Sequence, residues 1–183
     1  MVSRLLKFIY YKLMKWKLRG AFPSHIDKFI IIIAPHTSYH DFFLSVISRS
    51  VTGMSRARYL GKKELFRFPY GWIFRALGGY PVERTKKTNM VDNVVEIFNK
   101  HDHFVLALAP EGTRKKVKSL RTGFYYIAKK ARVPIVMVGF DYSKKETSIS
   151  EPFYTSSDFN KDIEFILHFF RGIKGKNPEF GID

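Results

Sequence analysis

The sequence contains no cysteine, which excludes disulfide bonds, thiol nucleophiles and thiolate metal sites. It has no uninterrupted apolar stretch near the roughly 20 residues that span a bilayer, and lysines interrupt the N-terminal apolar residues where a secretion signal would need a continuous run. Acidic residues are scarce as well: 16 Asp and Glu stand against 32 Lys and Arg, for a net charge of +16. This excess indicates an anionic partner, whether nucleic acid, an acidic membrane surface or a phosphorylated substrate.

Apolar residues, by contrast, are abundant enough to build one folded domain. The 183 residues are 45% hydrophobic and include 18 Phe, unlike the composition of a disordered chain. Short apolar runs alternate with amphipathic helical patterns, which is typical of a sheet covered by helices on both faces. The expected fold is a single α/β domain with a mixed, mostly parallel central sheet. The pattern predicts strands at 29–34, around 59, 104–109 and 133–140, and helices at 41–47, 88–98, 120–131 and 158–173.

The first twenty residues have the pattern of a basic amphipathic helix. Apolar residues recur at spacings of three and four from Leu5 to Trp16, basic residues fall mostly on the other side, and the pattern stops at Gly20. Such a helix can lie in the plane of a membrane interface, with Lys and Arg near anionic headgroups, or it can pack on its own domain. We expect an amphipathic membrane-interface helix over residues 1–20 and the main domain over 21–183.

The two strongest predicted strands both end at a proline that is followed by polar residues. The first continues as PHTSYHD, with His36 and Asp41, and the second as PEGTR, with Glu111, Thr113 and Arg114. Ligands bind at the carboxyl ends of strands in open α/β sheets, so these side chains share one crevice if the two strands are neighbours. A carboxylate beside an imidazole fixes its tautomer and supports a proton-abstracting base. The His36–Asp41 spacing is unspecific alone, and its place at a strand end makes it a candidate.

Other interpretations of the histidines are weaker. His36 and His40 are four residues apart, as in a helical metal-binding pair, but Pro35 makes this segment a turn and no third ligand is evident. The run 101–103, His-Asp-His, falls where a helix gives way to a strand and is interpreted as a solvated turn. The sequence also lacks the G-x-S-x-G elbow of a serine hydrolase. No metal site is therefore predicted.

Four blocks of the sequence resemble a known family. In order, HTSYHD, GGYPVER, APEGTR and VPIVMV resemble the four blocks of the glycerolipid acyltransferases, the lysophosphatidic acid acyltransferase family. GKKELFRFPYGWIFRALGG resembles the segment that leads into the second block in bacterial members. The resemblance covers roughly residues 29–140, and four blocks in this order are specific where one is not. It implies transfer of an acyl group from acyl-CoA or acyl carrier protein to the hydroxyl of a lysophospholipid, most simply lysophosphatidic acid, and it implies no cofactor.

The resemblance also implies roles for the residues at the first strand end. His36 would be the general base and Asp41 its orienting carboxylate, while Glu111 of the third block would position the site. Direct attack of the acceptor hydroxyl on a thioester needs no enzyme nucleophile, which agrees with a chain that lacks cysteine. His40 matches no position that the family requires.

A second implied set of residues would hold the phosphate of the acceptor. Arginine suits this task because its planar fork bonds two oxygens at once. Lys62 and Lys63 are weaker candidates on their charge alone. The implied set consists of Arg84 in the second block and of Gly112, Thr113 and Arg114 in the third.

Departures from the family pattern concern the acceptor more than the reaction. Ala109 stands where an aromatic residue usually precedes the proline, and Glu83 stands where Asp is more frequent. Lys115 and Lys116 follow the arginine, where a small hydroxyl residue is common. These differences leave open another lyso-lipid acceptor, such as a lyso-aminolipid.

Two other function classes remain as alternatives. A basic nucleic-acid-binding module would explain the charge and the aromatic residues, but no recognised binding motif is present, so no nucleic-acid partner is expected. A non-catalytic membrane-binding protein would not need the intact pair of His36 and Asp41. We expect a peripheral or monotopic protein that meets an anionic membrane surface on the cytoplasmic side, without a transmembrane span.

Overall fold

A single sheet organises the chain. The computed structural model describes residues 2–82 and 90–181. Within these ranges the sheet has seven strands, which are β1 (Lys17–Arg19), β2 (Lys28–Ala34), β3 (Ala57–Lys62), β4 (Gly79–Val82), β5 (Phe104–Leu108), β6 (Ile135–Asp141) and β7 (Glu146–Ile149). Their spatial order is β1-β7-β6-β2-β5-β3-β4.

The sheet is mixed and mostly parallel, which confirms the predicted fold class. The strands from β6 through β2, β5 and β3 to β4 run parallel, whereas β7 is antiparallel to β6 and β1 is parallel to β7. Strands β2 and β5, the two strongest in the sequence, are central neighbours. Five consecutive pairs align them, from Lys28 with Phe104 to Ile32 with Leu108. Their carboxyl ends therefore reach the same edge of the sheet.

Helices cover both faces of the sheet. Each helix predicted after residue 40 is present, and the cap predicted at Thr88 lies outside the described residues. None of the helices within residues 2–82 and 90–181 is both long and apolar enough to cross a membrane. The α-helices are α1 (Val2–Phe8), α2 (His40–Val51), α3 (Gly71–Ala76), α4 (Met90–Lys100), α5 (Gly123–Ala131) and α6 (Phe159–Phe170).

The helix predicted over the first twenty residues is too long. Helix α1 continues as a π-helical turn, Ile9–Leu13, and Lys15 then adopts a left-handed conformation with φ of 57°. Lys17–Arg19 form β1 because the edge of β7 offers backbone partners, including a 2.7 Å bond from the Lys17 amide to the Lys145 carbonyl. Trp16, assigned to the apolar face of the helix, lies beyond its end and is buried.

The two faces of the sheet form separate hydrophobic cores. Alternate residues of a strand point to opposite faces, so Ile30 and Ile32 of β2 enter the core beneath α4, α5 and α6. Ile31 enters the other core, with Tyr10 and Trp16 of the N-terminal segment and with α2. The second face also carries the candidate site.

Candidate active site

The predicted meeting of two strand ends is present in the structure. Because β2 and β5 are parallel neighbours, the loop after Ala34 lies beside the loop after Leu108. The backbone amide of His36 donates a 2.7 Å hydrogen bond to Glu111 Oε2, which joins the two loops directly. The adjacency expected from the sequence is therefore correct.

His36 and Asp41 form a close pair. His36 Nδ1 lies 3.2 Å from Asp41 Oδ2. The imidazole is partly exposed, at 22%, whereas the carboxylate is buried at 1%. The turn at Thr37 and Ser38 and the start of α2 at His40 bring the two residues together, because Asp41 falls in the first helical turn. With Nδ1 turned to the carboxylate, Nε2 is the nitrogen that can take a proton from a substrate.

Several donors fix the Asp41 carboxylate. The backbone amides of Thr37 and Ser38 donate to Oδ2 at 2.8 and 2.9 Å, and the Tyr142 hydroxyl donates to Oδ1 at 2.8 Å. Burial alone would raise the pKa of Asp41, but the hydrogen bonds from His36, Ser38 and Tyr142 hold it below its ordinary value. Asp41 is therefore a stable anion beside the imidazole.

Tyr142 is a site residue that the sequence interpretation missed. It follows β6, whose carboxyl end reaches the same edge of the sheet as β2. Burial and the neighbouring Asp41 carboxylate raise the pKa of the phenol well above its ordinary value, so Tyr142 remains a donor. Its ring packs edge-on against Trp16 at 5.2 Å. The signal was available, because the rule of polar residues at strand ends applies to the strand VPIVMVGF as well.

Glu111 supports the loop of His36 from the second strand end. Its side chain is 3% exposed and Oε2 accepts the His36 amide, while Oε1 is buried without a hydrogen-bond partner among the described residues. Burial raises the pKa of Glu111 to about 7, although the bond from the His36 amide opposes this shift. Glu111 thus joins the two strand ends, and the positioning role that the resemblance implies for it stays a prediction.

A C-terminal loop holds the His36 turn from the other side. The Asn177 amide donates to Thr37 Oγ1 at 3.0 Å, and Asn177 Nδ2 donates to the Thr37 carbonyl at 2.9 Å. Gly175 is buried here, and a Cβ on it would lie 2.6 Å from Thr37 Oγ1. The turn that carries the imidazole is thus fixed by contacts from three parts of the chain.

The backbone amides near His36 and Asp41 donate hydrogen bonds to other groups of the protein. Backbone N–H groups near Gly112 and in the turn after Pro35 are candidate donors to an oxyanion. In the structure, the amides of His36, Thr37 and Ser38 donate to the carboxylates of Glu111 and Asp41, and the Gly112 amide donates to the Ala109 carbonyl. In this conformation these four amides are not free to stabilise an oxyanion.

The loop after β5 presents Gly112, Thr113 and Arg114 near the site. Gly112 has φ of 65°, a left-handed conformation that favours glycine, and a Cβ on it would lie 2.7 Å from Arg121 Nε, so the arginine side chain would have to shift. The Arg114 guanidinium lies 3.7 Å from the centre of the Tyr39 ring, a cation–π contact that holds it over the start of α2. Arg121 is a second cation beside this loop, and the sequence interpretation did not identify it.

The remaining predicted residues have different outcomes. Arg84, in the second block, lies outside the described residues. Lys62 and Lys63 are exposed at the end of β3, on the same edge of the sheet as the dyad. His40 is exposed, with Nδ1 at 2.8 Å from Ser38 Oγ, and it takes no part in the dyad. Across residues 2–82 and 90–181, no group of three or more His, Asp or Glu side chains is arranged to hold a metal ion.

An apolar cavity opens beside His36. Its volume is about 420 Å³, and it runs along α2 on the face of the sheet that carries the dyad. Phe42 and Thr52, ten residues apart, both line it, so its length is about 15 Å at the helical rise per residue. Most of the strand residues in its wall are apolar, among them Ile31, Ile33, Ala107, Val138 and Phe140, and Arg58 and Thr147 add polar groups. The site can therefore hold a long apolar group with one end at an imidazole base.

Comparisons with known proteins identify a family and a similar fold. Residues 17–141 match the family model described as Acyltransferase. A comparison with curated protein sequences finds no significant match. Among solved structures, the 1-acyl-sn-glycerophosphate (LPA) acyltransferase PlsC from Thermotoga maritima is similar, with a TM-score of 0.60 and 19% sequence identity. The similarity covers 92% of this chain and 76% of that protein, and it shows a shared fold.

Proposed function

The chain belongs to the acyltransferase family, and from that premise we propose that it transfers a fatty acyl group from an acyl thioester to the hydroxyl of a lysophospholipid. The observation that carries the proposal is the position of the His36–Asp41 pair at an apolar cavity of about 420 Å³. Lysophosphatidic acid is the proposed acceptor, supported by the similar fold of the LPA acyltransferase from Thermotoga maritima. The product is then phosphatidic acid.

In the proposed reaction, His36 is the general base. Its Nε2 takes the proton from the acceptor hydroxyl as the oxygen attacks the thioester carbonyl. The new C–O bond forms, the C–S bond breaks, and the imidazolium returns the proton to the leaving thiolate. Asp41 remains ionised and stabilises the imidazolium, a role that fits its lowered pKa and its bond to Nδ1.

The cavity is the proposed site of the acyl chain. Its wall consists mainly of apolar side chains, so an acyl chain removed from water there gains about 0.8 kcal/mol for each buried methylene. Because His36 lines the same cavity, a chain lying along α2 would bring its thioester carbonyl to the base. The depth of the cavity then bears directly on the length of chain that the enzyme accepts.

The proposed phosphate site is the loop after β5. Arg114 is held over Tyr39 beside the cavity, and Arg121 contacts Gly112 of the same loop. Two guanidinium groups at one loop suit the phosphate of an acceptor whose hydroxyl must reach His36. Thr113, and Arg84 in the second block, belong to this proposal through the family resemblance.

The donor and the location are also proposed. Acyl-CoA and acyl carrier protein both carry anionic groups, which a chain with a net charge of +16 attracts. The reaction uses them as co-substrates and requires no further cofactor.

A lysophospholipid resides in a membrane, so we place the enzyme at an anionic membrane surface on the cytoplasmic side, as a peripheral or monotopic protein, with the N-terminal helix at the interface.

The direct test is transfer of a radiolabelled acyl group by the purified protein. Acyl-CoA and acyl carrier protein thioesters serve as donors, and acceptors with phosphate, zwitterionic and amino headgroups are compared. We expect transfer to lysophosphatidic acid and a loss of at least about 100-fold in kcat for His36→Ala, the low end of the contribution of a positioned base. His40→Ala is the matched control and keeps its activity. A fully active His36→Ala variant would disprove the mechanism.

The acceptor panel also tests the lyso-aminolipid alternative. Ala109, a small residue where an aromatic one is usual, lines the cavity, and Lys115 and Lys116 follow Arg114. Preferential transfer to a lyso-aminolipid would favour this acceptor while keeping the same base. Transfer to lysophosphatidic acid alone would exclude it.

A further inference from the structure

The segment between β3 and β4 displays apolar side chains that the candidate site does not use. Phe68 is 97% exposed, Trp72 69% and Tyr70 66%, and Leu65 and Ile73 are exposed beside them. We call these five residues the aromatic patch. Soluble monomers rarely expose a contiguous group of large apolar side chains unless it contacts a partner or a membrane.

A rigid support holds the aromatic patch away from the core. The buried Phe66 ring fills the space that Gly61 and Gly79 leave open, where a Cβ on either residue would lie 2.7–2.8 Å from the ring. The chain then folds back so closely that a Cβ on Gly71 would lie 2.1 Å from the Phe66 carbonyl oxygen. The Arg75 guanidinium donates to the same carbonyl at 3.1 Å. The exposed aromatic side chains therefore project from a turn whose backbone is held in place by these contacts.

The aromatic patch lies on the face of the sheet that carries the cavity. Arg49 of α2, which lines the cavity, donates hydrogen bonds to the carbonyls of Ala76 and Leu77 at the end of α3. Further exposed apolar side chains come from the N-terminal segment and α2 on this face, namely Leu5, Phe8, Tyr11, Leu13, Tyr39 and Phe43. The opposite face, under α4, α5 and α6, exposes fewer, among them Met90, Tyr126 and Phe165.

The charge around the aromatic patch is basic. In the sequence from 62 to 75, which contains the patch, Lys62, Lys63, Arg67 and Arg75 are cationic and Glu64 is the one carboxylate. The N-terminal segment on the same face carries six basic residues and no acidic residue before Gly20. Projecting Trp, Tyr and Phe side chains with cations around them are typical of a surface that enters the headgroup region of an anionic bilayer.

We propose that the aromatic patch is a membrane-docking surface for an anionic bilayer, distinct from the N-terminal helix, and that it turns the mouth of the cavity toward the lipid. Phe68 is almost wholly exposed, and four of the five residues also line an open cavity of about 450 Å³. Aromatic rings exposed to this extent among cations suit insertion between the headgroups of an anionic bilayer. The orientation rests on the proposed function, because it delivers a lipid acceptor to His36. The docking itself does not require that function.

The first test compares variants on opposite faces of the full chain. Binding is measured to vesicles of phosphatidylcholine with phosphatidylglycerol and to vesicles of phosphatidylcholine alone. We expect the double variant Phe68→Ser/Trp72→Ser to bind the anionic vesicles at least about tenfold more weakly than the natural protein. The control, Tyr126→Ser/Phe165→Ser on α5 and α6, removes two exposed aromatic rings from the other face and should bind within about twofold of the natural protein. Equal loss in both variants would overturn the proposal.

The second test follows Trp72 directly in a protein whose aromatic patch is intact. The chain has two tryptophans, and Trp16 is buried, so Trp16→Phe leaves Trp72 as the one fluorescent probe. Anionic vesicles should shift its emission to shorter wavelength, and brominated acyl chains should quench it. An unchanged spectrum with bound vesicles would overturn the proposal. So would a dimer that forms without lipid and is lost in Phe68→Ser/Trp72→Ser.

Acyl transfer separates this proposal from the proposed function. With acceptor in vesicles, Phe68→Ser/Trp72→Ser should lose most of its transfer rate, whereas with a short-chain soluble acceptor it should match the natural protein. Vesicle binding through Trp72 without transfer to any acceptor would support docking and contradict the proposed function. Normal transfer in vesicles by the double variant would overturn docking and leave the function intact.

Discussion

At the residue scale, the Asp41 carboxylate receives hydrogen bonds on both oxygens. His36 and two backbone amides contact Oδ2, and Tyr142 alone is seen on Oδ1 among the described residues. A hydrogen bond to a charged group contributes about 1.5–3 kcal/mol, so each donor has a measurable share in holding the carboxylate in place. In the proposed mechanism Tyr142 is therefore a positioning residue that acts through Asp41.

Replacing Tyr142 by Phe removes the bond to Asp41 Oδ1 and keeps the ring that packs on Trp16. The carboxylate can then rotate, which weakens the alignment of His36 with the acceptor hydroxyl. We expect kcat to fall roughly tenfold, the effect of about 1.4 kcal/mol on the barrier, while KM for both substrates stays unchanged. Steady-state kinetics of acyl transfer measure kcat and both KM values.

Tyr154→Phe, at an exposed tyrosine remote from the dyad, is the control and should keep both constants. If Tyr142 only stabilised the fold, the variant would contain less folded protein, and the loss of kcat would disappear when rates are normalised to the amount of folded protein. A kcat that stays normal in Tyr142→Phe contradicts the positioning role.

Glu111 gives the molecule a pH-dependent stability. Its pKa is about 7 in the folded chain against an ordinary value of 4.5, so the folded state holds its proton more tightly than the unfolded chain does. The free energy of unfolding should therefore decrease as the pH rises from about 4.5 to about 7 and change no further above that value. The contribution corresponds to about 3 kcal/mol at most.

In Glu111→Gln, the amide oxygen can still accept the His36 amide, but no group ionises. The variant should gain stability relative to the natural protein between pH 5 and pH 8, as measured by urea unfolding at both pH values. Glu179→Gln, at an exposed carboxyl, serves as the control and should show no such gain. A constant difference between Glu111→Gln and the natural protein across this range would contradict the account.

At the scale of elements, the segment from β3 to β4 is built around glycines that accommodate one phenylalanine. Gly71→Ala places a Cβ against the Phe66 carbonyl, which cannot move away cheaply because it belongs to the backbone. We expect the free energy of unfolding to fall by about 1–3 kcal/mol, the usual cost of overpacking. Thermal and urea unfolding measure the change.

The matched control is Gly123→Ala at the start of α5. A Cβ there meets no atom within 4 Å, and alanine favours a helix over glycine. This variant should be neutral or gain up to about 1 kcal/mol. If the two substitutions changed the free energy of unfolding equally, the turn at Gly71 would tolerate a side chain. The turn that carries the aromatic patch would then not be rigid.

The central strands and the dyad could be predicted because their signals are local. An apolar run that stops at Pro35 or Pro110 marks a strand end within a few residues, and His36 and Asp41 lie in one turn. The strand-end rule could have placed Tyr142 at the same edge of the sheet, but its hydrogen bond to Asp41 joins residues 101 positions apart, and no local pattern encodes that contact. Strand β1 was mistaken for helix because three residues at a sheet edge carry too short an alternation to compete with the preceding helical period.

At the scale of the whole molecule, the two faces of the sheet carry different features. The core beneath α4, α5 and α6 supports the sheet. The other face carries the dyad, the cavity, the N-terminal segment and the aromatic patch. The proposed transfer to an acceptor in a bilayer requires the base, the apolar cavity and the proposed lipid contacts on one side of the molecule, and all three lie on this face.

The net charge of +16 should make binding to an anionic membrane sensitive to salt. Attraction of basic side chains to anionic lipid is screened over about 10 Å at 0.1 M salt and about 3 Å at 1 M, whereas burial of apolar side chains is not weakened by salt. Raising NaCl from 0.05 to 0.5 M should therefore weaken binding to anionic vesicles by about tenfold or more and leave the weak binding to phosphatidylcholine nearly unchanged.

The same salt series separates the two contributions of the docking face. Phe68→Ser/Trp72→Ser loses apolar contacts and keeps its cations, so its residual binding should be abolished by 0.5 M NaCl. Replacement of Lys62 and Lys63 by Gln should instead reduce the dependence on salt and retain the fluorescence shift of Trp72. Co-sedimentation with vesicles measures both. If binding of the natural protein does not respond to salt, the positive charge serves the acyl donor or the acceptor phosphate and not the membrane.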